Sequence, residues 1–584
     1  MSKTNQLNQD INLLMAGVIE NFKQNNVSLI MPTYVPQRGE ILREFARAGV
    51  SVFIAGGYRN ARTFPEVPQK GLPEDTIGFI SSFPPRITKQ IVDVIPQTLL
   101  QNRKIAVFTY EVDFGWQDLI GARGLNTEIV STLEQNQRGY FEEKGNLTHI
   151  LDTAGLSAYK IPSSRVNGET PLDELIDVYD ALKNEDGRVV VQDCCSESGN
   201  TAGKGTLFFD DCAAFVKNIR ETGTERKVAR FINGFESNLS FFAGNTLPAQ
   251  GLLGARKISL IPQDDRFDSR LLELLTARAA AAGINEDNIV TVVGRGTLKA
   301  VGDEHLTSGE SNGVGNDVGY VYPENIRRQI TEIGGRLAKT MALAGHVGLA
   351  GADLIIDKSG KVWINEINDR QQGPTAQMSK DAEDNGIPSL LKISLLSSYA
   401  DFKTPQVQRV FRELRRNSQA VHEAYAANPG EFYLKVHSTH PKGHQAEVRK
   451  NLRPGYYEIS KNQAGNWELD FASYKGLDSR TEYQTDPEKG RVVVKISGGD
   501  WKVGDTVDNG SQLFRLSGIT DANNPPFVIE DGKTRLNKTW RPVVEACYNH
   551  IFGRGYMRQN PLYQQRNAAK NQMIVSVVQS LRSR

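Results

Sequence analysis

Cysteine is scarce: the chain has four in 584 residues, too few for a disulfide framework at this length. Cys194 and Cys195 are adjacent, Cys212 and Cys547 stand alone, and no C-x-x-C pair offers a zinc site. That usage fits a reducing compartment. A surplus of charge is also missing. The 69 Lys and Arg residues against 68 Asp and Glu leave a formal net charge of +1. Such a balance draws in neither nucleic acid nor an anionic membrane, so small molecules are the expected partners. No apolar run approaches the roughly 20 residues of a spanning helix. The first apolar stretch, Ile11 to Ile19, is short, is broken by Asn12 and follows Asp10, which marks an amphipathic helix rather than a signal peptide. Internal repeats and low-complexity tracts are lacking too. These absences predict a soluble, cytoplasmic protein with no nucleic-acid or membrane partner.

What is present is ordinary for a globular chain: 39% hydrophobic and 23% charged residues, with a length that calls for about three or four domains. Residues 1–140 alternate apolar β-branched runs (27–33, 50–57, 104–110) with helical stretches such as 40–49, which predicts a small parallel α/β layer. Residues 141–400 mix helices, strands and glycine-rich loops, with a helix at 172–183, a buried strand at 188–193, a strand-like segment at 227–237 and a long amphipathic helix at 324–345. The stretch 246–320 is expected to be a loop-rich insert with one helix near 269–283 and a strand at 288–294, its segment 311–317 forming either a wall for the substrate or a plain surface loop. Residues 401–584 open with a helix at 406–427 and become strand-rich, predicting a β-rich C-terminal domain with flanking helices.

The segment 351–368 reads as a hairpin. A two-residue turn at Ser359-Gly360 places Asp353 directly opposite Glu366. Period-2 alternation then sets Asp353, Glu366 and Asn368 on one face and Leu354, Ile356, Trp363 and Ile367 on the other. A three-residue turn would shift the register and break the facing pair. Like charges opposite each other repel unless a cation intervenes. Two carboxylates and an amide oxygen make a hard, all-oxygen site suited to Mg²⁺ on phosphate oxygens, and Arg370 follows with a fork for phosphate or carboxylate. The alternative is a solvated strand face that meets only water. A second element is the loop 197–209, where Gly199, Gly203 and Gly205 surround Lys204 after the strand 188–193. Glycines let backbone N–H groups curl around phosphate, although the spacing is not that of a P-loop.

The order of these parts resembles the ATP-grasp superfamily over roughly 140–380, most specifically in GLAGADLIIDKSGKVWINEINDRQQGP (348–374). The resemblance implies two α+β subdomains closing on ATP in 141–400, with a lid subdomain at about 145–230 and the insert at 246–320. The layer 1–140 resembles the pre-ATP-grasp domain. It further implies Asp353, Glu366 and Asn368 as Mg²⁺ ligands, with Arg370 acting on the transferred phosphoryl group. Gly203, Lys204 and Gly205 would lie in the phosphate-covering loop. Arg230, Phe231 and Ile232 would meet adenine, Glu236 the ribose and phosphates, and Lys144 the nucleotide. The strand before the glycine loop usually ends in lysine and here ends in Gln192, leaving Lys204 and Arg230 as candidates for the missing charge.

The implied activity is ATP-dependent joining of a carboxylate to an amine through an acyl-phosphate, with amino acids and peptides as candidate substrates and a second copy of the chain as a candidate partner. Two rivals stand beside it. WKVGDTVDNGSQLFRLSG (501–518) resembles half of a biotinyl carrier module, which would suit a biotin-carboxylase-like enzyme, but the Met-Lys-Met attachment sequence is missing and Arg370 runs into Gln371-Gln372-Gly373. Gln192 would suit a non-catalytic nucleotide binder. His437, His440 and His444 have the spacing of a metal cluster, or of solvated loop histidines.

Overall fold

The computed structural model describes residues 3–31, 39–56, 77–81, 104–107, 129–131, 140–194, 205–247, 270–309, 311–428, 430–440, 443–476, 491–497, 501–520, 524–553, 556 and 564. The chain is a multidomain mixture of helices and strands, and it divides into two compact units. One comprises Met1–Thr297 and Val321–Pro429, the other Leu298–Tyr320 and Gly430–Arg584.

The first unit begins with the predicted parallel layer. Five strands lie side by side in the order Ile77–Ser81, Val52–Gly56, Val27–Met31, Lys104–Val107, Ile129–Ser131, and each neighbouring pair is parallel. The helix Lys3–Gln24 buries Leu7, Ile11, Leu14, Met15, Val18, Ile19 and Phe22. That spacing of three and four marks one helical face. Phe22 sets its edge against Phe45 at 5.3 Å and Tyr399 at 5.2 Å. Lys392, only 5% exposed, sits at the same junction. Its ammonium reaches Glu44 at 3.1 Å, Glu383 at 3.1 Å and Asn12 Oδ1 at 2.9 Å.

Next comes an antiparallel sheet in the order Ser163–Val166, Arg226–Arg230, Val189–Asp193, Thr206–Phe209. Two helices cover one face. Leu172–Leu182 buries Leu175, Tyr179 and Leu182, and Cys212–Thr222 buries Phe215 and Ile219. Asp211 caps the second helix by accepting from the Ala214 N–H at 2.7 Å. These side chains pack on Val166, Val189, Val191 and Val228, each fully buried apolar side chain contributing about 1.5–3 kcal/mol. Alternation turns Gln192 and Lys227 away from the helices.

The remaining strands of this unit are Gly234–Asn245, Gly348–Asp357, Val362–Asn368 and the part of Ile289–Val301 up to Thr297. They form an antiparallel array backed by the helix Glu324–Leu343, which buries Ile326, Ile330, Ile333, Leu337 and Met341. The single strand expected at 227–237 is therefore two strands in two sheets, with residues 231–233 passing between them. The two α+β layers implied by the resemblance are both present.

In the second unit, the strands Glu431–His437, Gln512–Ile519, Arg491–Ser497, Gly455–Lys461 and Trp467–Lys475 form an antiparallel run in that order. The segment 311–317, expected to be loop, contributes the strand Gly313–Asp317 opposite Glu431–His437. The carrier-like segment is partly absorbed into this sheet through Gln512–Ile519.

Candidate functional site

The hairpin departs from the expected turn. Asp357 N–H donates to the Lys361 carbonyl, and Ile356 pairs with Val362, so three residues, 358–360, make the turn. Gly360 takes φ +82°, a conformation open to glycine at little cost. The longer turn pairs Leu354 with Ile364, yet Asp353 still pairs with Glu366. Asn365 is the extra residue, a β-bulge that returns the strand to the expected register. The turn reverses one assignment. Trp363 pairs with Ile355 on the Asp353 side, and Val362 and Ile364 join Leu354, Ile356 and Ile367 in the core.

Asp353, Glu366 and Asn368 thus share a face. Asn238 lies directly opposite Asp353 on the other flanking strand and Glu236 opposite Ile355, which adds both to the same face. Asp353 Oδ1 accepts from the amides of Asn238, Gln372 at 3.1 Å and Asn368 at 3.4 Å. Glu366 Oε2 lies 3.3 Å from Lys144 Nζ. Each of the two facing carboxylates thus has its own compensation, amide dipoles for one and an ammonium for the other. Gln372 Oε1 is buried with no hydrogen-bond partner. Two carboxylates, reorientable amides and an unsatisfied amide oxygen fit a divalent cation that prefers oxygen ligands.

Arg370 Nε lies 3.3 Å from Glu142 Oε1. Beside it in the chain, Asp369 is buried with Oδ1 3.0 Å from His346 Nδ1, and burial holds the His346 ring down to about 4.

The nucleotide candidates are distributed differently from expectation. Gln192 is buried, with Nε2 3.5 Å from Thr206 Oγ1. Directly opposite it across the sheet is Lys227. Lys227 is 4% exposed and donates to the Asn365 carbonyl at 3.4 Å. Burial and the neighbouring Lys144 hold its ammonium down to about 8, against the opposing pull of Glu366. Arg230, one of the two candidates for the charge absent at Gln192, is exposed and donates to the Ala181 carbonyl at 3.1 Å. Phe231 sits edge-on to Phe208 at 5.8 Å, with the Arg188 guanidinium 4.4 Å from its ring centre. Ile232 lies in the crossing between sheets. Gly205 accepts from the Asp193 N–H at 3.2 Å, while Gly203 and Lys204 lie outside the described residues.

Sequence reasoning missed Asn238, Gln372 and Lys227. Asn238 follows Glu236 by two residues, so period-2 alternation on that strand would have placed it. Gln372 reaches Asp353 only through the fold beyond Arg370, and Lys227 needed the pairing partner of Gln192. Cys194 and Cys547 are buried, and Cys195 lies outside the described residues. His440 is buried against Tyr556, its Nδ1 2.7 Å from the phenol oxygen. Among the described residues the one grouping of His, Cys, Asp or Glu with ligand spacing is Asp303, Glu304 and His305, not the three histidines. Among the described residues no helix is long and apolar enough to cross a membrane.

No protein-family model matches the chain, and no curated protein matches it. Among solved structures it is similar to the biotin carboxylase domain of the Hydrogenobacter thermophilus 2-oxoglutarate carboxylase, at 10% identity over 85% of this chain and 86% of that one, with TM-score 0.48. It is similar to an N5-carboxyaminoimidazole ribonucleotide synthetase at 11% identity over 85% and 92%, TM-score 0.44. The L-amino acid ligase of Bacillus licheniformis follows at 14% over 85% and 93%, TM-score 0.42. Likenesses of this degree assign neither residues nor an activity.

Proposed function

We propose that this chain is an ATP-grasp ligase that joins a carboxylate to an amine through an acyl-phosphate, releasing ADP and phosphate. The observation that carries the reading is the shared face of Asp353, Glu366 and Asn368, bordered by Lys144 and Lys227. Alternating acceptors and cations of this kind are what a magnesium-bound triphosphate requires. Asp353, Glu366 and Asn368 would hold Mg²⁺, which supplies charge neutralisation across the phosphate oxygens. Lys144 would bind the phosphates on the side of Glu366. Arg370, held by Glu142, would offer its planar fork to the phosphoryl group as it passes to the acid. Glu236 would face the ribose, and Arg230, Phe231 and Ile232 the adenine. The layer 1–140 would help bind the acid and amine, and the phosphate-covering loop around Lys204 would keep water from the activated acid.

The test is ADP and phosphate release by the purified protein with Mg²⁺ and ATP against pooled amino and organic acids, with mass spectrometry for condensed products. Wild type and Glu366→Gln run side by side. Turnover that needs the pool and disappears in the variant, with a product equal to acid plus amine less water, is the expected result. ATP binding without turnover in any pool of acids and amines would overturn the ligase and leave a nucleotide-binding protein.

A further inference from the structure

Lys227 is a buried cation with little to hold it. Its one hydrogen bond among the described residues is the 3.4 Å contact with the Asn365 carbonyl. Among the described residues the carboxylate that opposes Lys144 and Lys227 at this spot is Glu366, with a weaker pull from the Cys194 thiol. Glu366 already pairs with Lys144 at 3.3 Å. Burying an ammonium without a full partner is costly, and an arriving anion repays the cost.

The residue opposite Lys227 explains its place. Gln192 and Lys227 are a direct cross-strand pair, both buried and both on the sheet face turned away from the helices. Side chains so paired have Cβ atoms about 4.5–5.5 Å apart, and like charges there repel. The position therefore accommodates one ammonium, on either strand, but not two. The adjacent pair is arranged similarly: Asp193 stands opposite Arg226 and takes its guanidinium in an ion pair. Arg226 is thus neutralised within the sheet, whereas Lys227 is left for something else.

We infer that Lys227 is a second phosphate-binding cation of the nucleotide site beside Lys144, occupying from the neighbouring strand the charge position that Gln192 leaves neutral. The inference rests on the nucleotide reading given above. The ammonium meets the phosphate chain from the four-stranded sheet, and the bulged Asn365 carbonyl orients it towards Glu366 and the bound nucleotide. Gln192 stays neutral so that Lys227 can remain charged.

Calorimetric titration with ADP and with ATP, in Mg²⁺, decides it across four proteins: wild type, Lys227→Gln, Gln192→Lys and the exchange variant Gln192→Lys/Lys227→Gln. Circular dichroism and thermal melts show that each is folded. Lys227→Gln is expected to weaken nucleotide binding at least tenfold. Gln192→Lys is expected to weaken it too, since the paired ammonium groups oppose each other. The exchange variant is expected to recover binding to within about threefold of wild type. Recovery is the informative readout, because a residue with a merely structural role would not be rescued by moving its charge across the sheet. If wild type binds nucleotide and Lys227→Gln binds it equally well, or if the folded exchange variant recovers nothing, the inference falls while the nucleotide reading stands. If wild type binds no nucleotide, both fall.

Discussion

Asp353 faces Glu366 across a hairpin whose turn is one residue too long for that pairing, and the bulge at Asn365 takes the extra residue back. Two local irregularities cancel, and the carboxylates end up where a regular two-residue hairpin would have put them. The bulge also presents the carbonyl that Lys227 uses. Bulges gather next to functional sites because they re-aim groups without unmaking the sheet.

The facing pair predicts different responses from activity and stability. Under the proposed ligase reading, Glu366→Gln and Asp353→Asn should each lower turnover about a hundredfold or more, by removing charge that magnesium-bound phosphates would need. Stability without metal should fall only modestly, because relief of the repulsion between facing carboxylates offsets part of what is lost, the pair with Lys144 at Glu366 and the accepted amide hydrogen bonds at Asp353. Steady-state assays over a Mg²⁺ series, beside thermal melts in chelator, check both statements. A large fall in melting temperature without any change in turnover would contradict them.

Gly351 marks where the amide cradle meets the sheet. A Cβ there would lie 2.4 Å from the Leu239 carbonyl oxygen and 2.5 Å from Gln372 Cδ. Gly351→Ala should therefore cost about 1–3 kcal/mol by overpacking and should displace Gln372 from Asp353. Denaturant unfolding reads the first effect and weakened Mg²⁺ dependence the second. Gln372→Ala, which leaves room at Gly351, should reproduce the second effect with a smaller loss of stability.

His422 is buried between elements of the first unit. Its Nδ1 lies 3.2 Å from the Val293 carbonyl and 3.1 Å from that of Gly294, and its Nε2 lies 2.7 Å from Thr331 Oγ1. Burial pulls its pKa below the ordinary value of 6.5, despite the two carbonyls that raise it. The unfolded chain thus binds the proton more readily than the folded one. The contribution of the neutral ring is present above pH 6.5 and is lost as the pH falls through and below it. Melting temperature should decline from pH 7 to pH 5, and His422→Gln should make that decline shallower by up to one proton. An unchanged slope would show that the ring does not titrate between the two states.

The parallel layer, the long helix and the hairpin were legible in the sequence because each carries its own period: β-branched runs, a stripe at three and four, and alternation about a glycine turn. The face shared by Asp353, Glu366 and Asn368 was legible for the same reason, although Trp363 moved to the Asp353 side when the turn proved one residue longer. What was hidden depends on pairing between segments distant in sequence. Lys227 lies 35 residues after Gln192, and only the sheet order makes them opposite. The strand Gly313–Asp317 was hidden differently: its three polar or acidic neighbours and paired glycines read as loop, and it becomes a strand against Tyr433 and Leu434. Neither its glycines nor its asparagine announces that partner.

The ion cluster at Lys392 bears on how the chain is assembled over time. Its contacts with Asn12 and Glu44 span 380 and 348 positions of sequence. Synthesis from the N-terminus exposes the first helix and the carboxylate of Glu44 long before the lysine that joins them emerges from the ribosome. Pairings so remote close late and slow folding. Phe22 can meet Phe45 early, but the part of that helix face that packs on the helix Leu390–Tyr399 must wait for most of the chain to be made, which makes the nascent protein a natural client for chaperones that shield such faces.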